Sequence, residues 1–293
     1  MFLIGGSADN GIGEKVARAL DAKFAKAETK TFPDGELLAR ANCGAEGDDI
    51  VIVQSTYAPQ DTHLMELFLL ASAAAKQNPR SITAVVPYLA YLRQDKAFSP
   101  GEAVSAEVIL DLMHSSGVTN LVVAQPHKIE TLNKFKGKSI PVLPSRSLMD
   151  YVSKELESPY ILAPDKGSFP FAKDAAAQLD CGCTFIDKER SIATGEVSIK
   201  NAPAERFDGK QVVILDDMIS TGGTTAQAAK FAYSRGASEV VAAAVHLLMS
   251  DNAAEKLRDA GVLRVYGTNS MPSKNTRQID ISSELASAVR SIL

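Results

Sequence analysis

One segment of the chain, Val212 to Thr225, restricts the possible folds more than any other. Its sequence, VVILDDMISTGGTT, places an apolar run before two adjacent carboxylates, after which hydroxyls and glycines lead into helix-forming sequence. A continuous apolar run of this kind is typical of a strand buried on both faces of a parallel sheet. Open α/β sheets bind ligands at the carboxyl ends of such strands, so this segment predicts a ligand-binding loop.

The loop after this strand has the composition of an anion site. Its residues are all small, which lets a phosphate approach the backbone amides and the N-terminus of the next helix. They are Ser220, Thr221, Gly222, Gly223, Thr224 and Thr225. Asp216 and Asp217 would repel a phosphate, so ribose hydroxyls or a hard cation such as Mg²⁺ suit them better. The alternative is an ordinary strand-to-helix turn with a Ser/Thr cap, but the acids, glycines and hydroxyls exceed what a cap requires.

Strands and helices alternate along the rest of the 293 residues. The first half predicts strands near Phe2–Gly5, Ile50–Gln54, Ile82–Pro87 and Leu121–Ala124, and helices near Ile12–Leu20, Thr62–Ala75, Ala103–Met113 and Lys128–Lys134. The second half predicts strands near Tyr160–Ala163, Cys183–Ile186, Gln211–Leu215, Val240–Val245 and Arg264–Tyr266, and helices near Phe169–Leu179, Thr224–Arg235, Asn252–Ala260 and Ser282–Ile292. This order predicts an α/β protein with two doubly wound parallel-sheet domains, 1–143 and 144–293, joined near Pro141–Arg146. The last helix is free to pack back on the first domain.

Composition excludes several classes of protein. A net charge of -4 gives no general attraction to nucleic acid or to a membrane surface. Cys43, Cys181 and Cys183 form no zinc-like pair, and an odd number of cysteines argues against a disulfide framework. The N-terminus resembles no signal peptide, and the apolar stretch from Leu67 to Ala75 is too short to span a bilayer. We therefore expect a cytoplasmic protein with no nucleic-acid or membrane partner.

Three polar motifs of the first half follow predicted strands or turns. TFPDGE, Thr31 to Glu36, could stack on a base and accept its amino hydrogens, although its spacing alone favours a simple hairpin turn. PYLAYLRQDKAF, Pro87 to Phe98, carries Arg93 past a strand end, where it could hold phosphates; a solvated charge run is an equal alternative. His127 also follows a strand, a position that favours contact with a metal or a phosphate.

Two further motifs occupy equivalent positions in the second half. Asp165, in APDKGS, follows an apolar strand and precedes a helix. DKER, which contains Lys188 and Arg190, precedes the polar segment from Ser191 to Glu196. Two cations beside a mobile segment could neutralise charge on a transferred phosphoryl group, whereas a salt-bridged surface turn is the simpler alternative.

In this order, TFPDGE, PYLAYLRQDKAF, His127, APDKG, DKER and DDMISTGGTT resemble the ribose-phosphate pyrophosphokinase (phosphoribosyl pyrophosphate synthetase) family, in its archaeal type. The resemblance extends over nearly the whole chain. It implies two domains of the phosphoribosyltransferase-like type, an ATP-side domain followed by a ribose-5-phosphate-binding domain. It also implies transfer of the diphosphoryl group of MgATP to the C1 hydroxyl of ribose 5-phosphate, with phosphoribosyl pyrophosphate and AMP as products for nucleotide biosynthesis.

The resemblance also implies a role for each matching residue. Phe32, Asp34 and Glu36 match the adenine-binding loop, and Arg93 and Gln94 match other ATP contacts. Asp216 and Asp217 match the ribose-binding acids, and Ser220 to Thr225 match the loop for the 5-phosphate. Catalysis would involve Lys188, Arg190 and His127, with His127 and Asp165 as positions associated with Mg²⁺. In the family the adenine loop enters the site of a neighbouring subunit, which implies a homo-oligomer.

Two other classes share parts of this pattern. A phosphoribosyltransferase would use the same cradle but would consume phosphoribosyl pyrophosphate, and such enzymes normally lack FPDGE and YLRQDK. A non-catalytic subunit would keep the fold, but the presence of Lys188, Arg190, His127 and both acids argues against it. The chain departs from bacterial and animal members at Lys166-Gly167-Ser168 and in its STGGT loop, and both differences are compatible with archaeal relatives.

Overall fold

Runs of buried aliphatic residues form the central strands of two parallel sheets. In the sequences DIVIV and NLVVA, for example, every residue is buried, as expected where helices cover both faces of a sheet. The computed structural model describes residues 1–42, 46–190, 197–201, 205–250 and 252–293, with the backbone alone for 188–190 and 197–201. The chain divides into two units: Met1–Leu143 with Asp280–Leu293 form unit 1, and Pro144–Ile279 form unit 2.

Unit 1 contains a six-stranded parallel sheet and a separate hairpin. Its strands are β1 (Phe2–Gly5), β2 (Lys23–Lys26), β3 (Glu28–Thr31), β4 (Leu37–Arg40), β5 (Asp49–Val53), β6 (Ser81–Val86), β7 (Asn120–Ala124) and β8 (Lys138–Val142). Its first helices are α1 (Ile12–Ala19), α2 (Gln60–Ala75) and α3 (Ser105–Ser115), with a 3₁₀ helix at Ile129–Lys134. The sheet order is β2-β1-β5-β6-β7-β8, and β3 pairs with β4 in antiparallel fashion.

Unit 2 repeats this plan. Its strands are β9 (Pro159–Ala163), β10 (Gly182–Phe185), β11 (Asp187–Arg190), β12 (Val197–Asn201), β13 (Gln211–Ile219), β14 (Glu239–Leu247), β15 (Val265–Thr268) and β16 (Arg277–Ile279). Its helices are α4 (Ser145–Ser153), α5 (Phe169–Leu179), α6 (Gly223–Ser234) and α7 (Ala253–Asp259). The parallel sheet has the order β10-β9-β13-β14-β15-β16, so β9 and β13 occupy the positions that β1 and β5 occupy in unit 1.

The C-terminal helix, α8 (Ser282–Ile292), belongs to unit 1. It packs beside α1, where Lys15 Nζ lies 2.7 Å from Asp280 Oδ2 and Arg290 donates to the Ala19 carbonyl at 2.9 Å. None of the helices among the described residues is long and apolar enough to cross a membrane.

The structure confirms the predicted α/β fold with two parallel sheets, and each predicted strand and helix is present with its ends displaced by a few residues. The predicted helix near Lys128–Lys134 is a 3₁₀ helix. The sequence analysis missed short or polar elements, namely β2, β3, β4, β8, α4, β11, β12 and β16. Strand β8 contains Pro141, which is tolerated because β8 is at the edge of its sheet.

Candidate active site

The two adjacent acids lie inside a strand, not after one. Strand β13 was expected to end at Leu215, but it continues to Ile219 because residues beyond Leu215 pair with β14. Its pairing with β9 stops at Ile214. On that side the chain leaves β9 at Ala163 and forms the turn that leads into α5. The backbone of Asp216 is therefore held on one side by β14, and its carboxylate meets the turn after β9.

Ser168 connects the two carboxylates that flank this turn. Its hydroxyl lies 2.6 Å from Asp216 Oδ1 and 3.2 Å from Asp165 Oδ1. Its backbone N–H also donates to Asp165 Oδ1 at 3.0 Å. A second donor to Asp216 Oδ1 is the N–H of Asp217, at 2.9 Å. Ser168 thus links Asp165 with Asp216, and the sequence analysis did not assign it to the site.

The carboxyl groups of Asp165 and Asp217 lie close enough to Asp216 to affect its ionisation. Burial raises the pKa of Asp216 well above its usual value, and the nearby carboxylates of Asp217 and Asp165 raise it further. The hydrogen bond from Ser168 acts in the opposite direction, because it stabilises the ionised carboxylate. A ligand that donates hydrogen bonds, or a cation, would relieve this repulsion.

The predicted anion loop follows directly and leads into α6. Gly222 occupies the helix cap with φ of +73°, and it has no side chain to occupy the first-turn N–H groups of the helix. The segment after β14 holds the start of the loop through two backbone hydrogen bonds. Ser250 N donates to the Ser220 carbonyl at 3.1 Å, and Met249 N donates to the Ile219 carbonyl at 3.1 Å. Thr225 differs from the expectation in one respect: it is only 3% exposed, so its side chain faces the helix packing.

In unit 1, the TFPDGE motif forms the tip of the β3–β4 hairpin, which is the simpler of the two interpretations offered by its sequence. Phe32 N donates to the Glu36 carbonyl at 2.8 Å, and Gly35 N donates to the Phe32 carbonyl at 2.9 Å. Asp34 Oδ1 accepts from Glu36 N at 3.2 Å, which shapes the turn. The Phe32 ring is 36% exposed, with Lys30 Nζ 5.1 Å from its centroid. A hairpin turn and a ring available for stacking are therefore compatible.

Arg93, Gln94 and His127 lie on neighbouring loops beyond the carboxyl ends of β6 and β7. Gln94 is anchored, since its Oε1 accepts from Ser105 Oγ at 3.1 Å and its carbonyl accepts from Ala106 N at 3.2 Å. Arg93 and His127 are exposed. An ion pair between Asp95 and Lys128 joins the two loops and lowers the pKa of Asp95. The two loops that carry Arg93, Gln94 and His127 are thus held by these contacts.

Lys188 and Arg190 lie in β11, which pairs with β12 in antiparallel fashion. Their side chains, and the whole of the segment from Ser191 to Glu196, lie outside the described residues. The structure therefore gives the position of these two residues on a hairpin and nothing of their contacts.

Comparison with known proteins identifies the family. Residues 1–117 match the model for the N-terminal domain of ribose phosphate pyrophosphokinase, and residues 146–276 match that for the phosphoribosyl transferase domain. The ribose-phosphate pyrophosphokinase of Saccharolobus solfataricus is 45% identical over 98% of this chain and 99% of its own. The chain belongs to the ribose-phosphate pyrophosphokinase family. The ribose-phosphate pyrophosphokinase of Sulfurisphaera tokodaii is also similar, with 44% identity over 98% of this chain and 99% of its own length.

A solved structure of the phosphoribosylpyrophosphate synthetase from Mycobacterium smegmatis also matches, with a TM-score of 0.88 and 28% identity over 99% of this chain and 98% of that one. The family, its archaeal type and the enzyme class expected from the sequence are thus confirmed. The match of unit 1 decides against a simple phosphoribosyltransferase, because the phosphoribosyl transferase domain accounts for only the second half.

Ribose-phosphate pyrophosphokinases generally use Mg²⁺, and the acids of unit 2 fit such an ion. Among the described residues, no group of three or more His, Cys, Asp or Glu side chains is placed to hold a metal. Mg²⁺ does not require one, because it usually keeps several waters and binds through one or two carboxylates together with substrate phosphates. Burial and the carboxylates of Asp217 and Asp165 raise the pKa of Asp216, and a cation beside it would stabilise the ionised form.

Ser168 and Ser250 contact predicted site residues, Asp216 and Ser220, and the sequence analysis assigned neither of them to the site. Ser168 follows Asp165 by three positions, a spacing at which Asp and Ser commonly bond to nearby backbone N–H groups at a helix start. That local signal was available. Ser250 carries no such signal, since its support of Ser220 depends on β13 and β14 being adjacent.

Proposed function

We propose that this chain transfers the diphosphoryl group of MgATP to the C1 hydroxyl of ribose 5-phosphate, giving phosphoribosyl pyrophosphate and AMP. An oxygen–phosphorus bond forms between the C1 oxygen and the β-phosphorus of ATP, the bond from that phosphorus to the α,β-bridging oxygen breaks, and the hydroxyl proton is released. The observation that carries this assignment is the full-length similarity to ribose-phosphate pyrophosphokinases, which includes both units.

Unit 2 is the ribose-5-phosphate unit in this proposal. Asp216 and Asp217 accept hydrogen bonds from the ribose hydroxyls, and the 5-phosphate lies against the amides of Ser220 to Thr225. The geometry supports this division, because the acids lie in β13 while the loop with the open cap at Gly222 follows them. A negative phosphate and hydroxyl donors are thereby bound by groups of complementary character.

Unit 1 is the ATP unit. Phe32 stacks on adenine, Asp34 and Glu36 accept its amino hydrogens, and Arg93 and Gln94 contact the nucleotide, with Arg93 on phosphate. Support comes from the exposed Phe32 ring at the hairpin tip and from the braced loop that carries Arg93. Arginine suits this role because its planar guanidinium matches phosphate oxygens.

The catalytic groups in this proposal are Lys188, Arg190 and His127. Phosphoryl transfer requires in-line positioning and stabilisation of charge on the non-bridging oxygens, with no covalent nucleophile from the protein. Lys188 and Arg190 supply positive charge that is most useful as the transferred group separates. Asp165 and His127 are the proposed positions associated with Mg²⁺, which when bound neutralises phosphate charge.

We also propose a homo-oligomer, in which the hairpin tip serves a neighbouring subunit. A reducing cytoplasmic location is part of the proposal, and the free Cys181 and Cys183 fit it.

The direct test is to incubate the pure protein with MgATP and ribose 5-phosphate and to measure both products. We expect AMP and phosphoribosyl pyrophosphate in equal amounts. Turnover of phosphoribosyl pyrophosphate with a nucleobase, and no AMP from ATP, would assign the chain to the phosphoribosyltransferases instead. For the ATP unit, Arg93→Ala should raise the KM for ATP, whereas Arg18→Ala, at an exposed arginine on α1, should not.

A further inference from the structure

Ser168 makes contacts that a simple helix cap would not make. It occupies the cap position of α5, yet its hydroxyl accepts no helix N–H group; it lies 2.6 Å from Asp216 Oδ1 and 3.2 Å from Asp165 Oδ1. Ser168 is 9% exposed, so bulk water is a poor substitute for these contacts. The hydroxyl therefore connects the turn after β9 to the carboxylate in β13.

The single proton of the Ser168 hydroxyl limits which carboxylate this hydroxyl can donate to. A serine hydroxyl carries a single proton, so it can donate to only one of two ionised carboxylates at a time. The shorter distance favours donation to Asp216, and Asp165 receives the backbone N–H of Ser168 at 3.0 Å instead. Ser168 thus provides a separate donor for each acid.

This arrangement restrains the orientation of the Asp216 carboxylate. The Ser168 hydroxyl and the Asp217 N–H both donate to Oδ1, at 2.6 and 2.9 Å. Two donors on the same oxygen restrain the plane of the carboxylate. We infer that Ser168 is a positioning residue for ribose 5-phosphate, which holds the Asp216 carboxylate in the orientation that accepts a ribose hydroxyl; this rests on the proposed function.

The test is the Ser168→Ala variant, which removes the hydroxyl but keeps the backbone N–H that donates to Asp165. We expect the KM for ribose 5-phosphate to rise about tenfold, as for loss of a hydrogen bond to a charged group, with smaller effects on kcat and on the KM for ATP. Ser168→Thr retains a hydroxyl and should recover most of the affinity. Ser238→Ala is the matched control, because it removes another single hydroxyl contact of unit 2, to the Lys210 carbonyl.

A double-mutant cycle separates positioning from general destabilisation. If Ser168 acts through Asp216, then Ser168→Ala should raise the KM much less in an Asp216→Asn background than in the parent. Equal effects in both backgrounds would overturn the inference, and so would a fall in the maximal rate alone that follows the loss of folded protein in a thermal melt. So would an unchanged KM in Ser168→Ala. A parent enzyme that forms no AMP would instead reject the proposed function itself.

Discussion

Gly222 and Gly223 are adjacent in the proposed phosphate loop, but the structure predicts different consequences when each is replaced by alanine. Gly222 has φ of +73°, and a Cβ atom there would lie 3.2 Å from the Ala253 carbonyl oxygen. Gly223 begins α6, and the nearest atom to a Cβ there would be Thr221 Oγ1, at 3.9 Å. One substitution is therefore strained, and the other has room.

The expected changes in stability have opposite signs. A left-handed conformation costs a non-glycine residue about 1–2 kcal/mol, so Gly222→Ala should lower the free energy of unfolding by at least that amount. Alanine exceeds glycine in helix propensity by up to about 1 kcal/mol, so Gly223→Ala should leave the free energy of unfolding unchanged or slightly raised. Gly209→Ala is the control for the first value, because Gly209 has φ of +69° with no atom within 4 Å of its Cβ position.

Although Gly223→Ala should not lower stability, we expect it to weaken the binding of ribose 5-phosphate. Its Cβ would enter the space through which a phosphate approaches the loop amides, and the loss of one charge-assisted hydrogen bond corresponds to about tenfold or more in affinity. We expect Gly223→Ala to raise the KM for ribose 5-phosphate by that factor at normal stability. Urea unfolding and initial rates at saturating ATP measure the two effects. An unchanged KM in Gly223→Ala would refute the phosphate loop, and a fully stable Gly222→Ala would refute the strain argument.

Three further predictions concern charges. Burial raises the pKa of Asp216 in the folded state, so the folded protein loses stability as pH rises and this carboxyl ionises. The Asp216→Asn variant cannot ionise there and should melt at a higher temperature than the parent at neutral pH. In calorimetry without metal the difference should vanish below about pH 4, and a gap that does not depend on pH would contradict the assignment. Lys188→Ala should lower kcat much more than it weakens ribose 5-phosphate binding, whereas exposed Lys256→Ala should change neither; equal losses would argue against a transition-state role. Glu66→Ala, which leaves Ser7 N–H without its 2.7 Å acceptor, should cost about 2 kcal/mol in urea unfolding, and no loss would show that water replaces the carboxylate.

The sequence predicted those features that depend on local pattern. The apolar runs identified the central strands, and the DDMISTGGTT pattern identified the loop, because strand burial and small residues are visible in consecutive letters. The predicted end of β13 at Leu215 was wrong, because the strand continues to Ile219 through pairing with β14. The contact of Ser168 with Asp216 was missed for the same reason, because the two residues are 48 positions apart; the spacing of Asp165 and Ser168 marked only a helix start.

The equivalent positions of the two units explain why only one is proposed to bind ribose 5-phosphate. In unit 1 the turn after β1 is occupied by the protein's own side chains: Glu66 accepts from Ser7 N at 2.7 Å, and Gln54 Oε1 accepts from Ala8 N at 2.9 Å. In unit 2 the turn after β9 meets Asp216, whose pKa is raised by burial and by the nearby carboxylates of Asp217 and Asp165. Polar groups that are already paired bind a new ligand only by giving up those bonds, whereas repelling carboxylates gain from a donor. The turn after β1 is thus filled by side chains of unit 1 itself, whereas the corresponding turn of unit 2 lies beside the acids that are proposed to bind ribose.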